Sequence, residues 1–188
     1  MGPFPTQADI DEMKARGYDR ATIDAAWLRM GRGKQAEAIC ERIRAAFAGV
    51  TLGHGVGLRQ AQGLDDYEDE ETCAKWRSGD EKEDWSRISS DSLNACNSSL
   101  SFFDADGMMF HLPAYLIADL RGEYGFGMAF CLTHLSDYKE QQFVLLSAAQ
   151  REAVRGYLRF ILEESEYEFE RPHIEGALIG FWNESRDL

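Results

Sequence analysis

The sequence lacks a long apolar run, and this absence argues against a membrane-spanning or exported protein. No stretch approaches the roughly 18 consecutive apolar residues that a transmembrane helix needs. Residues 1–17, MGPFPTQADIDEMKARG, contain no apolar core of the kind that a secretory signal peptide carries. The cysteines are widely spaced with no CxxC pair, which predicts reduced thiols in a cytoplasmic protein. They are Cys40, Cys73, Cys96 and Cys131.

Recognisable catalytic motifs are also missing. Only four histidines occur, and none stands in an HExxH or HxxxH arrangement, so no metal site is expected. There is no Gly-x-Ser-x-Gly elbow, no dinucleotide fingerprint and no phosphate loop, so no cofactor is predicted. The sequence therefore does not identify a biochemical activity.

Charge of one sign dominates the composition. The chain has 33 acidic and 20 basic residues, giving a formal net charge of −13. Such a surface repels nucleic-acid phosphates and anionic lipids, so neither nucleic acid nor a membrane is predicted as a partner. It suits solubility or the binding of a basic protein partner. The hydrophobic content of 44% predicts an ordinary folded core.

The first thirty residues have the pattern of two short helices. Thr6 could cap one that ends at Gly17, and Asp19 could cap another that ends at Gly31. Gly31 and Gly33 then form a plausible hinge. We therefore expect a helical-hairpin arm over residues 1–32 and a main domain over residues 33–188, which opens with a helix from about Gln35 to Ala48.

The centre of the chain, residues 102–120, predicts a turn between apolar segments. Asp106-Gly107 between apolar runs is typical of a β-hairpin, and Pro113 is favourable at the first turn of a helix. A hairpin leading into a buried helix follows, with Phe110, Leu112, Tyr115 and Leu116 in the core. The predicted fold class is α+β, predominantly helical.

A glycine-rich segment precedes this centre. In residues 50–58, VTLGHGVGL, large side chains alternate with Thr or Gly at the period of a strand. Glycine there can indicate a bulge, a bend or the close approach of another backbone. The segment can also be a loop that surrounds a ligand, and the sequence leaves both interpretations open.

Two acidic segments are candidates for binding. The denser one, DDYEDEE, has no spacing that matches a calcium loop, so it is interpreted as a solvated helix start or a surface for a basic partner. The other spans Glu163 to Glu170. The candidate binding surface in the first segment comprises Asp65, Asp66, Glu68, Asp69, Glu70 and Glu71.

The weak catalytic candidates are His54, His111, His134 and Cys131. Cys131 and His134 are three residues apart, a spacing that would align them on a helix, and a thiol–imidazole pair can form an activated nucleophile. However, Cys131 lies within an apolar run, where a thiol is usually inert. Two function classes follow: a non-catalytic, acidic protein-binding module, or a hydrolase or transferase whose site is assembled from scattered His and carboxylate residues.

Three stretches together resemble a bacterial domain family of unknown function. They are the aromatic–Asp–x–x–Gly–Met–x–Phe–x–Leu–Pro–Ala–Tyr string at residues 103–115, LLSAAQREAVRGYLRFIL at 145–162 and ALIGFW at 177–182. The resemblance covers roughly residues 35–184 and leaves the leading helices outside. It implies almost nothing about activity, because the family is uncharacterised and its string consists of apolar and turn residues.

Overall fold

The computed structural model describes residues 4–183, and this part of the chain is built from helices alone. The predicted α+β class is therefore wrong. Short 3-10 helices lie at Trp85–Arg87, Asn97–Ser101 and Ser165–Tyr167. The α-helices are α1 (Gln7–Ala15), α2 (Arg20–Ala46), α3 (Leu58–Asp65), α4 (Glu70–Gly79), α5 (Ser90–Ala95), α6 (Ala105–Leu120), α7 (Ala129–Thr133), α8 (Asp137–Gln142), α9 (Ala148–Leu162) and α10 (Arg171–Ile179).

The predicted β-hairpin is instead the start of helix α6. Asp104 is its N-cap, and the carboxylate Oδ1 accepts hydrogen bonds from the backbone N–H of Gly107 at 2.8 Å and of Val56 at 2.9 Å. Asp serves equally well in a turn and at a helix N-cap, so the local sequence does not separate the two structures. Pro113 accordingly lies inside the helix and not at its first turn.

Helix α6 is the centre of the fold. Every residue from 110 to 120 is buried, because α2, α5, α8 and the 3-10 helix at Trp85–Arg87 pack around it. A helix that is apolar on all sides requires such complete enclosure. The core positions predicted from sequence are confirmed, since each is fully buried: Phe110, Leu112, Tyr115 and Leu116.

The glycine-rich segment is a loop packed on the N-terminus of α6, and not a strand. A Cβ atom on Gly55 would lie 2.6 Å from the backbone N of Gly107, and one on Gly107 would lie 2.6 Å from the carbonyl oxygen of Val56. These glycines are therefore needed for the close approach of two backbones. Arg77 donates hydrogen bonds to the carbonyls of Gly53 and Gly55 and fixes the loop.

The N-terminal helices differ from prediction in one respect. Helix α2 runs without interruption through Gly31 and Gly33, so the predicted stop and hinge are wrong. A glycine inside a helix costs only about 1 kcal/mol, which packing of α2 against α6 and α9 can offset. The division into an arm and a main domain stays a prediction. Within residues 4–183, no helix combines the length and apolar character that crossing a membrane requires.

Candidate functional site

The catalytic candidates predicted from the sequence lie in different environments in the fold. His54 is exposed in the glycine loop, whereas His111 is fully buried in α6. The His111 Nδ1 atom lies 2.7 Å from the carbonyl oxygen of Gly107, and its ring stacks on Phe103 at 4.4 Å. Burial lowers the pKa of His111 to about 4, so it is neutral at pH 7. We interpret His111 as a core residue.

Cys131 and His134 do not form a thiol–imidazole pair in the described structure. Helix α7 ends at Thr133, so His134 leaves the helical path that would have aligned it with Cys131. Its Nδ1 atom lies 3.1 Å from the hydroxyl of Thr133 instead. Cys131 is buried, and burial raises the pKa of its thiol, which disfavours the reactive thiolate. Across residues 4–183, no three metal-ligating side chains are grouped as a metal site would require.

The acidic segment at residues 65–71 connects α3 to α4. Asp69 caps α4 by accepting a hydrogen bond from the backbone N–H of Thr72 at 2.8 Å, and this bonding lowers the pKa of Asp69. Glu70 and Glu71 lie in the first turn of α4, where the helix dipole favours acids. Tyr67, at the tip, is 96% exposed. This segment thus has a local structural role and also presents an open acidic turn.

The structure assembles a site that the sequence did not single out. A cleft of about 320 Å³ opens between α7, the start of α10 and the loops that precede them, and we call it the aromatic cleft. Its lining is unusually rich in rings and contains one carboxylate. The lining residues are Phe126, Gly127, Ala129, Phe130, His134, Tyr167, Phe169, Glu170 and His173.

Three rings of the aromatic cleft form a chain of contacts, and its phenylalanines are exposed. The Phe130 and His134 rings stack with centroids 4.2 Å apart, and His134 lies 4.7 Å from His173. Phe130 is nevertheless 68% exposed, Phe126 62% and Phe169 89%. An isolated exposed apolar side chain is ordinary, whereas three large ones around one concavity are unusual and make this cleft a candidate site.

Comparison with known proteins identifies a family for most of the chain. The domain family of unknown function DUF6714 matches residues 35–186. The chain belongs to this family. No curated protein and no solved structure matches it. The sequence-based expectation of an uncharacterised domain family is confirmed, and the aromatic cleft lies wholly within the DUF6714 region.

A buried network of hydrogen bonds connects the aromatic cleft of this DUF6714 protein to the core. Tyr167, its least exposed ring, donates its hydroxyl to Asp119 Oδ2 at 3.3 Å, and Tyr157 donates to the same oxygen. The backbone N–H of Met128 also donates to it at 3.3 Å. Asp119 is fully buried, and burial raises the pKa of its carboxyl. This residue therefore joins α6, α9, the 3-10 helix at Ser165–Tyr167 and the N-cap of α7.

A second set of contacts fixes the C-terminal end of α9, where the Glu163–Glu170 segment begins. Arg32, from α2, donates to Glu164 Oε1 at 2.7 Å, to Glu163 Oε2 at 2.7 Å and to the carbonyl oxygen of Phe160 at 3.0 Å. Its guanidinium lies 4.2 Å above the Phe160 ring. Acids at this end of a helix are unfavourable by themselves. Arg32, which precedes the DUF6714 match, supplies the compensating charge.

Only part of the aromatic cleft was visible to sequence reasoning. His134 and the Glu163–Glu170 segment were proposed as candidates, but His173, Phe126 and Asp119 were not. The alternation of rings and acids in Tyr167–Glu-Phe-Glu170 was the one available signal. The other residues become neighbours only when α7 and α10 pack together.

Proposed function

We propose that this DUF6714 protein is a non-catalytic module that binds a basic protein partner, and that the aromatic cleft is the main contact. The exposure of Phe126, Phe130 and Phe169 around one concavity carries the proposal. Aromatic residues are enriched at protein interfaces because they bury a large area at a low entropic cost. Partner binding would remove these three rings from water.

Charge supports a basic partner. The net charge is −13, and one wall of the aromatic cleft comes from the Glu163–Glu170 segment. The acidic turn at residues 65–71 is exposed over most of its length and adds a second region that would attract positive charge. Such charges act mainly on the rate of association and are screened by salt. We also propose a cytoplasmic location, which the four unpaired, buried cysteines support.

A hydrolase or transferase remains the second candidate, because the aromatic cleft places His134 and His173 beside Glu170. Histidine and glutamate can exchange protons with a bound substrate. Turnover in a broad hydrolase screen that is lost in His134→Ala would favour this alternative. We rank it second because rings outnumber polar groups in the lining.

Affinity capture from a lysate of the source organism tests the binding proposal. We expect Phe130→Ala to lose a partner that the wild-type chain retains at low salt. Leu28→Ala is the matched control, since Leu28 is 75% exposed but lies on α2, outside the cleft. Charge reversal at Asp66, Glu68 and Glu70 should weaken capture at low salt more than at high salt.

Identification of the captured protein then separates the outcomes. A basic partner that depends on Phe130 but not on Leu28 supports the proposal. Identical sets of captured proteins for the wild type, the cleft variant and the charge-reversed variant would contradict it.

A further inference from the structure

We infer that the aromatic cleft receives one arginine side chain of the partner, whose guanidinium stacks on the rings and donates to Glu170. This inference rests on the proposed function and specifies the chemistry of its ligand. It is supported by an unsatisfied carboxylate oxygen, by the arrangement of the rings and by an equivalent contact within the fold.

The carboxylate of Glu170 is the polar group that a ligand would meet. Its Oε2 atom is buried and has no hydrogen-bond partner among the described residues. A buried carboxylate oxygen without a donor is costly, and most such atoms in folded proteins are paired. Glu170 lines the cleft, whereas the side chain of the neighbouring Arg171 does not. A ligand that brings an N–H donor and a positive charge would first meet the partly exposed remainder of the Glu170 side chain, and it would satisfy this oxygen by displacing the groups that cover it.

The rings favour a flat cation. Phe130 and His134 are nearly parallel, with an interplanar angle of 20°, and His173 continues the series at 38° to His134. A guanidinium is planar, is weakly hydrated and stacks on aromatic faces, while its N–H groups stay free to bond a carboxylate at its edge. A lysine ammonium lacks the planar face, and a quaternary ammonium lacks the donor that Glu170 requires.

The protein already binds an arginine with the same chemistry. The Arg32 guanidinium lies 4.2 Å above the Phe160 ring and donates to Glu164, whose side chain is 7% exposed. An aromatic face beside a glutamate thus holds an arginine at the other end of the Glu163–Glu170 segment. In the aromatic cleft exposed rings lie beside Glu170 and no arginine that the structure describes contributes to the lining, so the arginine must come from another molecule.

Titration of the full chain with short peptides tests this inference. The probes are three capped Gly/Ser peptides with one central arginine, lysine or citrulline, the last being the neutral counterpart of arginine. Backbone amide shifts of Phe130, Phe169 and His173 would report binding in a nuclear magnetic resonance spectrum. We expect the arginine peptide to bind about fivefold more tightly than the lysine peptide, and citrulline more weakly still.

Glu170→Gln removes the charge but keeps the shape of the side chain, so this variant should bind the arginine and lysine peptides with about equal affinity. Glu168→Gln is the matched control and should retain the preference, since Glu168 is exposed and does not line the cleft. Equal affinities for the three peptides, shifts located away from the cleft, or an unchanged preference in Glu170→Gln would each overturn the inference.

These results are separable from those of the capture experiment. If Phe130→Ala loses a basic partner while the peptides bind equally, the proposed function stands and the arginine inference fails. If the arginine peptide is selected at the cleft but no basic protein is captured, the inference stands and the proposed function fails.

Discussion

Replacement of Arg32 by alanine should be strongly destabilising even though Arg32 lies outside the DUF6714 match. The change removes the donors to Glu163, Glu164 and the Phe160 carbonyl, together with the contact to the Phe160 ring. Its main consequence is for Glu164, whose nearly buried carboxylate would keep, among residues 4–183, only Arg29 as a cationic partner, at 3.4 Å.

The expected magnitude follows from the burial of each partner. The bond to Glu163 contributes little, because that side chain is 69% exposed. Leaving a buried charge without a partner costs about 3–5 kcal/mol when the loss is complete. Because Arg29 remains, we expect Arg32→Ala to lower the free energy of unfolding by about 2–3 kcal/mol.

Urea unfolding followed by far-ultraviolet circular dichroism measures this loss. We expect the midpoint to fall while the m-value stays unchanged. Arg20→Ala is the control on the same helix: Arg20 is 94% exposed and pairs with Asp24, so its loss should stay within about 0.5 kcal/mol. In a Glu164→Gln background, Arg32→Ala should cost about 1–2 kcal/mol less than in the wild type. If Arg32→Ala matched Arg20→Ala, the reasoning about Glu164 would be refuted.

Two further predictions concern the core. Phe110→Ala should lower the free energy of unfolding by about 3–5 kcal/mol, because Phe110 is fully buried in α6; an unchanged denaturation midpoint would rule this out. Burial lowers the pKa of His111 from 6.5 to about 4 in the folded protein. The contribution of His111 to the free energy of unfolding is therefore fully present above pH 6.5, and about 3 kcal/mol of it is lost as the pH falls towards 4. Asp119 has a raised pKa and changes the stability in the opposite sense, so the wild type must be compared with His111→Asn, in which position 111 does not titrate. If the free energy of unfolding fell equally steeply with decreasing pH in both proteins, the assignment to His111 would be contradicted.

Helix ends were predictable where the deciding contacts are local. Thr6 caps α1 as expected, and Ser147 with Gln150 forms a capping box at the start of α9. These bonds join residues three positions apart, so the sequence contains both partners. Gly31 shows the opposite case, since a residue with no strong local preference was read as a stop although packing continues α2 through it.

The aromatic cleft was not predictable from the sequence because its parts are distant along the chain. His134 and Glu170 are separated by α8 and α9, and only the contact of α7 with α10 brings them to one concavity. The same holds for Asp119, which reads as a helical residue until Tyr157 and Tyr167 are seen to donate to it.

The amino-acid sequence by itself determined the acidic surface, the caps of several helices and the burial of α6, since composition, three-residue spacing and a largely apolar segment suffice for each. Only the tertiary structure decided that Asp104 begins a helix, because Val56 donates to it from 48 residues away. Tertiary packing likewise determined which charges are paired and which rings stay exposed. Both depend on burial by residues that are distant along the chain, and no local sequence pattern contains that information.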